Sequence, residues 1–187
     1  AASAAQEVIW RCNKKHPYNA EANAKGPVRM RACADGWQKG VETAMVPLFH
    51  DRCDPLDLRG GNWGDAYEAK NHTLYFKDGS QIEFMSYEMS DTGRGAQKFA
   101  SVALDGVWHD EQSPYTVWEE NTARLIDRNG FGIITLTPVL GSTWEFDQFY
   151  QKWQEGNASY RCWTGSTNEN DILDQATIDA ILGDIAD

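Results

Sequence analysis

Long apolar runs are missing from this chain of 187 residues. No stretch approaches the roughly 20 apolar residues that a membrane-spanning helix needs. The N-terminus, AASAAQEVIWRCNKKH, lacks the basic start and following apolar run that are typical of a secretory signal. Hydrophobic residues make up 41% of the chain and charged residues 24%, which are ordinary values for a globular domain. We therefore expect a soluble protein with one domain-sized core.

Cysteine is also scarce. No cysteine forms a C-x-x-C pair, so we do not expect one of the usual zinc-site patterns. A chain of this length does not need disulfides, so we expect reduced structural cysteines, which fit an intracellular compartment. The four residues are Cys12, Cys33, Cys53 and Cys162.

Basic residues are outnumbered, with 17 Lys and Arg against 28 Asp and Glu, and the formal net charge is −11. This balance argues against a protein that coats nucleic acid with its whole surface. It leaves room for a few phosphate contacts from a small basic surface. The candidates for such contacts are Lys14, Lys15, Arg29, Arg31 and Lys98.

The order of apolar patterns predicts an α/β protein. Strands joined by helices of about 10–15 residues imply parallel pairing with helices on the faces of the sheet. An Asp78-Gly79 turn between alternating strands predicts one hairpin, and residues 54–71 read as a surface insertion. The predicted strands are 28–34, 72–76, 81–86, 101–109, 131–136 and 159–164. The predicted helices are 3–15, 37–46 (bent or ended by Pro47), one capped by Ser113, one opening at 142–145 with Phe146 and Trp153 inward, and one near 178–185.

The segment VALDGVWHDE, residues 102–111, is an apolar strand that ends in Asp110 and Glu111. Ligands of open parallel sheets bind beyond the carboxyl ends of the strands. An apolar strand running into Asp-Glu is typical of the Walker B motif of P-loop ATPases, where one carboxylate holds Mg²⁺ and the next polarises the attacking water. A solvated strand end is the plainer interpretation of the dipeptide alone. The preceding His109 is either a ligand or proton shuttle, or more commonly a packed histidine.

The strand FGIITL, residues 131–136, leads into Thr135-Leu136-Thr137 and then Pro138. Hydroxyls at such a strand tip could sense a γ-phosphate through hydrogen bonds. Threonines that favour β-structure before a proline turn are the alternative. A strand ending in Asp-Glu, one helix, and then a strand ending in Thr-x-Thr is the order found in motor ATPases.

The stretch ASVALDGVWHDEQSPYTVWEENTARLIDRNGFGIITLTPVLGSTWEFDQFY resembles the ATPase core of the terminase large subunit of tailed phages. The upstream order of EVIWRCNKKHPY, PVRMRACADGWQKGVETAMVPLF and a hairpin ending in IEFMSYE also agrees with that family. The resemblance covers nearly all of the chain. It implies an α/β, RecA-like P-loop ATPase fold of three layers, with a mainly parallel sheet and helices on both faces. It also implies ATP hydrolysis that drives viral double-stranded DNA into the procapsid.

Carried over by position, the resemblance implies that Asp110 coordinates Mg²⁺ and that Glu111 is the catalytic base. Thr135 and Thr137 would lie in the motif that couples bound ATP to domain movement. Arg94 would be an arginine finger acting on a neighbouring subunit's nucleotide, or else a solvated or phosphate-contacting loop arginine. The implied partners are double-stranded viral DNA, the portal protein, the small terminase subunit and further copies in a homo-oligomeric ring, without a membrane. The implied location is the host cytoplasm and, transiently, the portal vertex of the procapsid.

Two parts of the family pattern are missing from the sequence. No G-x-x-x-x-G-K-S/T occurs, so the loop that cradles the phosphates is absent, and no acidic nuclease cluster follows the last helix. In the family this loop immediately precedes the helix that reads here as AASAAQEVIWR. We therefore expect residues 1–187 to be a partial ATPase domain that starts just after the phosphate loop and stops before the nuclease domain. We expect this fragment alone to be inactive and its sheet to be incomplete.

Two other functions remain open. A helicase-type P-loop ATPase also uses Asp-Glu and Ser/Thr-x-Thr strands. A non-enzymatic binding module, or an inert fragment that acts as one, would use its tryptophans to stack sugars or contact proteins, with Trp37, Trp63 and Trp163 as candidates.

Overall fold

A six-stranded mixed sheet organises the chain in a computed structural model that describes residues 1–90, 99–100, 102–138 and 143–165. The sheet has the order β2-β3-β4-β1-β5-β6. The neighbours β4-β1, β1-β5 and β5-β6 run parallel, whereas β2-β3 and β3-β4 are antiparallel. The strands are β1 (Arg29–Ala34), β2 (Tyr67–Glu68), β3 (Thr73–Tyr75), β4 (Gln81–Ser86), β5 (Gly106–Asp110) and β6 (Phe131–Thr135).

One face of the sheet is covered by helix α1 (Ala2–Asn13) and by a second helical element. That element begins as a π-helical segment, Gly36–Met45, and continues as α3 (Val46–Arg52). The apolar side chains that meet here belong to the buried core, and they come from alternate positions of the strands. They include Val8, Val41, Phe49, Met30, Ala32 and Trp108.

The helix predicted over 37–46 therefore exists but does not end at Pro47. Pro47 lies in α3 directly after the π-helical segment, where Val46 N–H still bonds the Val41 carbonyl. The helix therefore continues through the proline and lacks only the one backbone hydrogen bond that a proline nitrogen cannot make. The π-helical segment is unusual, since such structure is rare and mostly confined to single turns.

The opposite face is covered by α5 (Tyr115–Ala123), whose buried side chains are Val117, Trp118 and Asn121. Trp118 packs so closely over β6 that a Cβ atom added at Gly132 would lie 2.4 Å from its ring. The capping role predicted for Ser113 is wrong, because the helix has Pro114 at its N-cap and no side-chain capping bond. The Ser113 hydroxyl bonds His109 instead. Helices thus lie on both faces of the sheet, and the predicted α/β class is confirmed.

Short elements connect these layers. The chain forms α2 (Ala20–Ala24), α4 (Trp63–Ala66) and single 3₁₀ turns at Pro55–Asp57, Arg59–Gly61, Tyr87–Ser90 and Ile126–Arg128. The predicted hairpin is confirmed as β3 and β4, with Gly79 at a φ of 88° in its turn. Residues 54–71 are less superficial than predicted, because Leu58 and Ala66 are fully buried and β2 extends the sheet.

Residues 140–187 form a separate compact unit, of which 143–165 are described. A π-helical segment, Phe146–Tyr150, continues into α6 (Gln151–Gln154). Phe146 is 40% exposed and Trp153 is 37% exposed, so the expectation that both face inward is wrong. The strand predicted over 159–164 does not form. Ser142 and the predicted helix near 178–185 lie outside the described residues.

Within the described part of the chain, no helix combines the length and apolar character required to cross a membrane.

Candidate functional site

The carboxyl ends of β5 and β6 lie side by side. The two strands are parallel neighbours, and their register pairs Asp110 with Thr135. Strand β5 also pairs with β1 on its other side, so Asp110 ends an interior strand of the parallel part of the sheet. The juxtaposition predicted from sequence, acidic pair beside threonines, is confirmed.

A chain of hydrogen bonds joins the two strand ends through their side chains. The Thr135 hydroxyl donates to Asp110 Oδ1 over 2.6 Å, and the Trp108 indole Nε1–H donates to the same Thr135 oxygen over 2.8 Å. Trp108 is fully buried, whereas Thr135 and Asp110 are half-buried. Trp108 and Asp110 share one face of β5 because side chains of a strand alternate between faces.

Glu111 leaves the strand in a left-handed backbone conformation, with a φ of 64°. Its amide still donates to the Thr135 carbonyl over 2.7 Å, so the two chains remain paired at this point. Its exposed carboxylate lies 3.3 Å from the Thr137 backbone N–H, which donates to it. Non-glycine residues in this conformation are uncommon, and strained ones cluster at functional sites. Glu111 is therefore held toward β6 by both its main chain and its side chain.

The backbone behind Asp110 is braced from β4 and β1. The Tyr87 hydroxyl lies 3.1 Å from the Cys33 carbonyl oxygen and 3.2 Å from the Asp110 carbonyl oxygen. Tyr87 follows β4 directly, so one side chain connects the ends of three neighbouring strands.

His109 faces the opposite side of β5, in a buried polar network beneath α5. The guanidinium of Arg31 can only donate, so its 2.7 Å bond fixes the carbonyl end of Asn121, and the amide of Asn121 then donates to His109 Nε2 over 2.8 Å. His109 Nδ1 therefore carries the proton and donates to Ser113 over 2.8 Å. Burial, and then the nearby Arg31 charge, lower the His109 pKa to about 3. Because the imidazole is neutral and fully bonded, His109 is a packed histidine.

Arg31 is itself completely buried, and it is held by three groups. Its guanidinium binds Glu83 over 2.7 Å, the Asn121 carbonyl, and the Phe99 backbone carbonyl over 2.7 Å. A buried arginine requires such partners, because an unpaired buried charge is strongly destabilising. Arg31, one of the candidates for phosphate contact, is therefore not available for it. Lys15 is engaged as well, in a 2.6 Å ion pair with Asp57.

The donor set at the strand ends fits a magnesium ion better than a transition metal. Among the described residues there is no cluster of three or more His, Cys, Asp or Glu that could hold a metal by itself. Mg²⁺ is commonly bound by only one or two carboxylates together with substrate phosphates and water. The Asp110 carboxylate, with Glu111 adjacent and the Thr135 hydroxyl 2.6 Å away, is suited to that kind of shared site.

The remaining predicted residues are only partly tested by the geometry. Arg94 and Lys98 lie outside the described residues. Thr137 reaches Glu111 through its backbone N–H rather than its hydroxyl. Sequence reasoning missed Trp108 and Tyr87, although the position of Trp108 two residues before Asp110 is a signal for a shared strand face.

Two of the three tryptophans named as candidates for a binding module pack against other side chains of the protein. Trp37 and Trp63 are half-buried, with Trp37 edge-on to His72 and Trp63 stacked on Tyr67. Trp163 alone of the three is mostly exposed, at 87%.

Comparison with known proteins finds similarity to the large terminases of phages. A stretch of 95 residues, 51% of the chain, is 28% identical to the terminase large subunit of Salmonella phage P22 and covers 16% of that protein. Over this stretch the chain is similar to a phage terminase large subunit. No protein-family model matches it.

The large terminase of a thermophilic bacteriophage has a similar fold. Its solved structure superposes with a TM-score of 0.53 over 85% of the chain, at 15% sequence identity. The mixed α/β architecture with a mainly parallel sheet is thus that of a large terminase structure, consistent with a RecA-like fold. The chain covers 38% of that terminase, and so spans well under half the length of either known protein.

Proposed function

We propose that this chain contributes the metal-binding and water-activating edge of an ATPase that drives viral double-stranded DNA into a procapsid. The proposal depends on one observation, which is the register that pairs Asp110 with Thr135 at the ends of parallel strands. This arrangement puts an acidic pair and a hydroxyl pair at the sheet edge where ligands of such sheets bind. The relationship to phage terminases supports DNA packaging as the process served.

In this proposal Asp110 is the ligand of Mg²⁺, and Glu111 orients and deprotonates the attacking water. Asp110 would hold Mg²⁺, and the ion would supply positive charge that offsets the negative charge developing on the transferred phosphate. Thr135 holds Oδ1, so Oδ2 is the carboxylate oxygen that Asp110 would offer to the ion. Glu111 is exposed and lies beyond the strand end, as a group that must reach a water molecule requires.

Coupling of nucleotide state to movement follows from the contacts of β6. Thr135 binds Asp110 by its hydroxyl, and Thr137 binds Glu111 by its N–H. Any displacement of the β6 end therefore moves the partners of both acids together. A γ-phosphate that attracts the Thr137 N–H would release Glu111, which connects phosphate binding to the freedom of the base.

The cofactors, partners and location are proposed from the similarity to phage terminases. We propose ATP and Mg²⁺ as cofactors, and Arg94 as a residue acting on the nucleotide of a neighbouring copy in a ring. We further propose that viral DNA, the portal protein and the small terminase subunit are the partners. The work would take place in the host cytoplasm, at the portal vertex during packaging.

The 187 residues contain no G-x-x-x-x-G-K-S/T loop. Backbone N–H groups and a lysine of such a loop supply most phosphate contacts in P-loop ATPases. We therefore expect the chain by itself to bind ATP weakly and to hydrolyse it at background rate. A version with a phosphate loop joined ahead of Ala1 should gain magnesium-dependent turnover.

The test is ATP hydrolysis and nucleotide binding by that loop-restored version. Glu111→Gln should lower turnover by at least about 10²-fold, the size expected for loss of a general base, while ATP binding persists. Asp110→Asn should lose the magnesium dependence of nucleotide binding. Glu119→Gln, an exposed carboxylate on α5, is the matched control and should behave as wild type. Full turnover by Glu111→Gln would refute the proposed role of the strand ends.

A further inference from the structure

The side chain behind the proposed metal ligand is Trp108, which makes a hydrogen bond that its packing in the core does not require. Trp108 is fully buried, and its ring lies against Phe49 with centroids 6.0 Å apart. Its indole N–H nevertheless points away from that apolar contact and donates to the Thr135 oxygen over 2.8 Å. A phenylalanine would fill most of the same space without making this bond.

The direction of the hydrogen bonds follows from elementary donor and acceptor chemistry. An indole nitrogen can only donate, so the Thr135 oxygen must accept from Trp108. The single hydroxyl proton of Thr135 is then available only for its other neighbour, Asp110 Oδ1, at 2.6 Å. A hydroxyl without such a neighbour rotates freely among partners. The Asp110 carboxylate can only accept, so both neighbours fix the same direction: Trp108 donates to the Thr135 oxygen, and Thr135 donates to Asp110. The bond from Trp108 therefore helps to hold the Thr135 side chain in the rotamer that reaches Asp110.

The consequence for Asp110 is a carboxylate with two unlike oxygens. Oδ1 accepts the Thr135 proton, and among the described residues no hydrogen bond to Oδ2 is made. Short bonds of this kind to a charged acceptor are stronger than neutral ones, so the carboxylate plane is held as well as the oxygen. Oδ2 is then the oxygen left for a cation.

We propose that Trp108 is a positioning residue which, through Thr135, orients Asp110 so that Oδ2 faces a divalent cation. This inference rests on the proposed function, in which Asp110 is the metal ligand. It adds Trp108, which lies outside the Asp-Glu and Thr-x-Thr motifs, and gives its indole N–H a role in orienting Asp110. Groups that hydrogen-bond a ligand commonly matter to metal affinity by about tenfold or more.

The first experiment needs no metal. Three-bond NMR couplings of the Thr135 methyl carbon report whether its side chain keeps one rotamer. We expect one rotamer in the wild-type chain and averaging in Trp108→Phe. Trp37→Phe is the matched control, because it also removes an indole N–H bond to an acceptor oxygen, the 3.0 Å bond to Glu42. A single Thr135 rotamer in Trp108→Phe would overturn the proposal.

The second experiment uses Mn²⁺ as the probe, followed by paramagnetic broadening of NMR signals near Asp110. Thr135→Val and Trp108→Phe should each weaken Mn²⁺ binding by about tenfold, and Thr135→Ser should retain it. The double variant should bind no more weakly than Thr135→Val, since Trp108 acts only through Thr135. Additive losses would overturn the proposal.

The two experiments separate this inference from the proposed function. If Thr135 averages in Trp108→Phe but Mn²⁺ never broadens Asp110 in the wild type, the proposed metal site fails while the positioning by Trp108 is supported. If Trp108→Phe does not fold, Thr135→Val decides the matter through the Trp108 indole N–H signal. That signal should shift upfield in Thr135→Val and return in Thr135→Ser, and an unshifted signal would overturn the inference.

Discussion

At the scale of single residues, His109 shows how a group next to a candidate catalytic pair can be excluded from the chemistry. It directly precedes Asp110, but strand alternation turns it to the other face of the sheet. There Asn121 and Ser113 use both ring nitrogens, and Arg31 lies close enough to oppose a positive charge. A residue held neutral in this way makes a poor proton shuttle near pH 7.

This environment makes the fold sensitive to acid. The His109 pKa is about 3 in the folded protein, against about 6.5 when exposed, so the unfolded chain binds the proton first. Stability is therefore lost as the pH falls below about 6.5, and the loss continues toward pH 3. Between pH 7 and pH 5 we expect a loss of about 2 kcal/mol from this group.

Urea unfolding at both pH values measures the effect. His109→Gln keeps an amide in the network but cannot titrate, so its stability should fall about 2 kcal/mol less than that of the wild type over the same interval. Carboxylates titrate equally in both proteins and cancel in the comparison. Equal losses in the two proteins would show that His109 is already charged or exposed in the folded state.

At the scale of elements, the helix that begins at Gly36 requires a glycine within its π-helical segment. A Cβ atom at Gly40 would lie 2.1 Å from the Asp35 carbonyl oxygen and 2.9 Å from the Ala34 Cβ. Ala34 is the last residue of β1, and Asp35 connects it to the helix. The close approach of helix and strand is thus possible only without a side chain at position 40.

Gly40→Ala should lower the free energy of unfolding by about 1–3 kcal/mol, because the helix must shift away from β1. The matched control is Gly26→Ala, where an added Cβ has no atom within 4 Å. We expect that control to stay within about 0.5 kcal/mol of wild type. Chemical denaturation midpoints compare the two, and equal midpoints would contradict the packing assigned to Gly40.

The elements also show what could be predicted from sequence and why the rest could not. The strands β1, β4, β5 and β6 are recognisable because local residue patterns and burial agree along them. The strand predicted at 159–164 fails although SYRCWT has suitable residues, since a strand needs a partner and pairing is a property of the whole fold. The hydrogen bond between Trp108 and Thr135 could not be predicted for a similar reason, because side-chain contacts between strands depend on register, which the local pattern does not give.

At the scale of the whole molecule, the formal charge of −11 limits what one copy can do with DNA. Eight of the 15 lysines and arginines among the described residues pair with acids, such as Lys25 with Asp105 at 2.7 Å, and one of them, Arg31, is buried. The other seven are set against a large excess of acidic side chains, which opposes contact between one copy and phosphates. A ring that surrounds DNA with several copies would collect enough contacts where one copy does not.

We therefore expect the single chain to bind double-stranded DNA with a dissociation constant weaker than about 10⁻⁴ M at physiological salt, below ordinary non-specific affinity. Fluorescence anisotropy of a labelled duplex measures this directly. Lowering the salt concentration should strengthen binding only slightly, because few counterions are released. A micromolar constant with steep salt dependence would reveal a basic surface outside the contacts described above.

The pairing of Asp110 with Thr135 has one consequence for how related sequences can vary. A slip of β6 by a single residue would bring Ile134 or Leu136 beside Asp110 and turn the threonine hydroxyl to the far side of the sheet. The connection between α5 and β6 must therefore keep its length. It ends at Gly130, where an added Cβ atom would lie 2.9 Å or less from the Leu104 and Asp105 carbonyl oxygens. Insertions and deletions in this connection should be far less tolerated than substitutions.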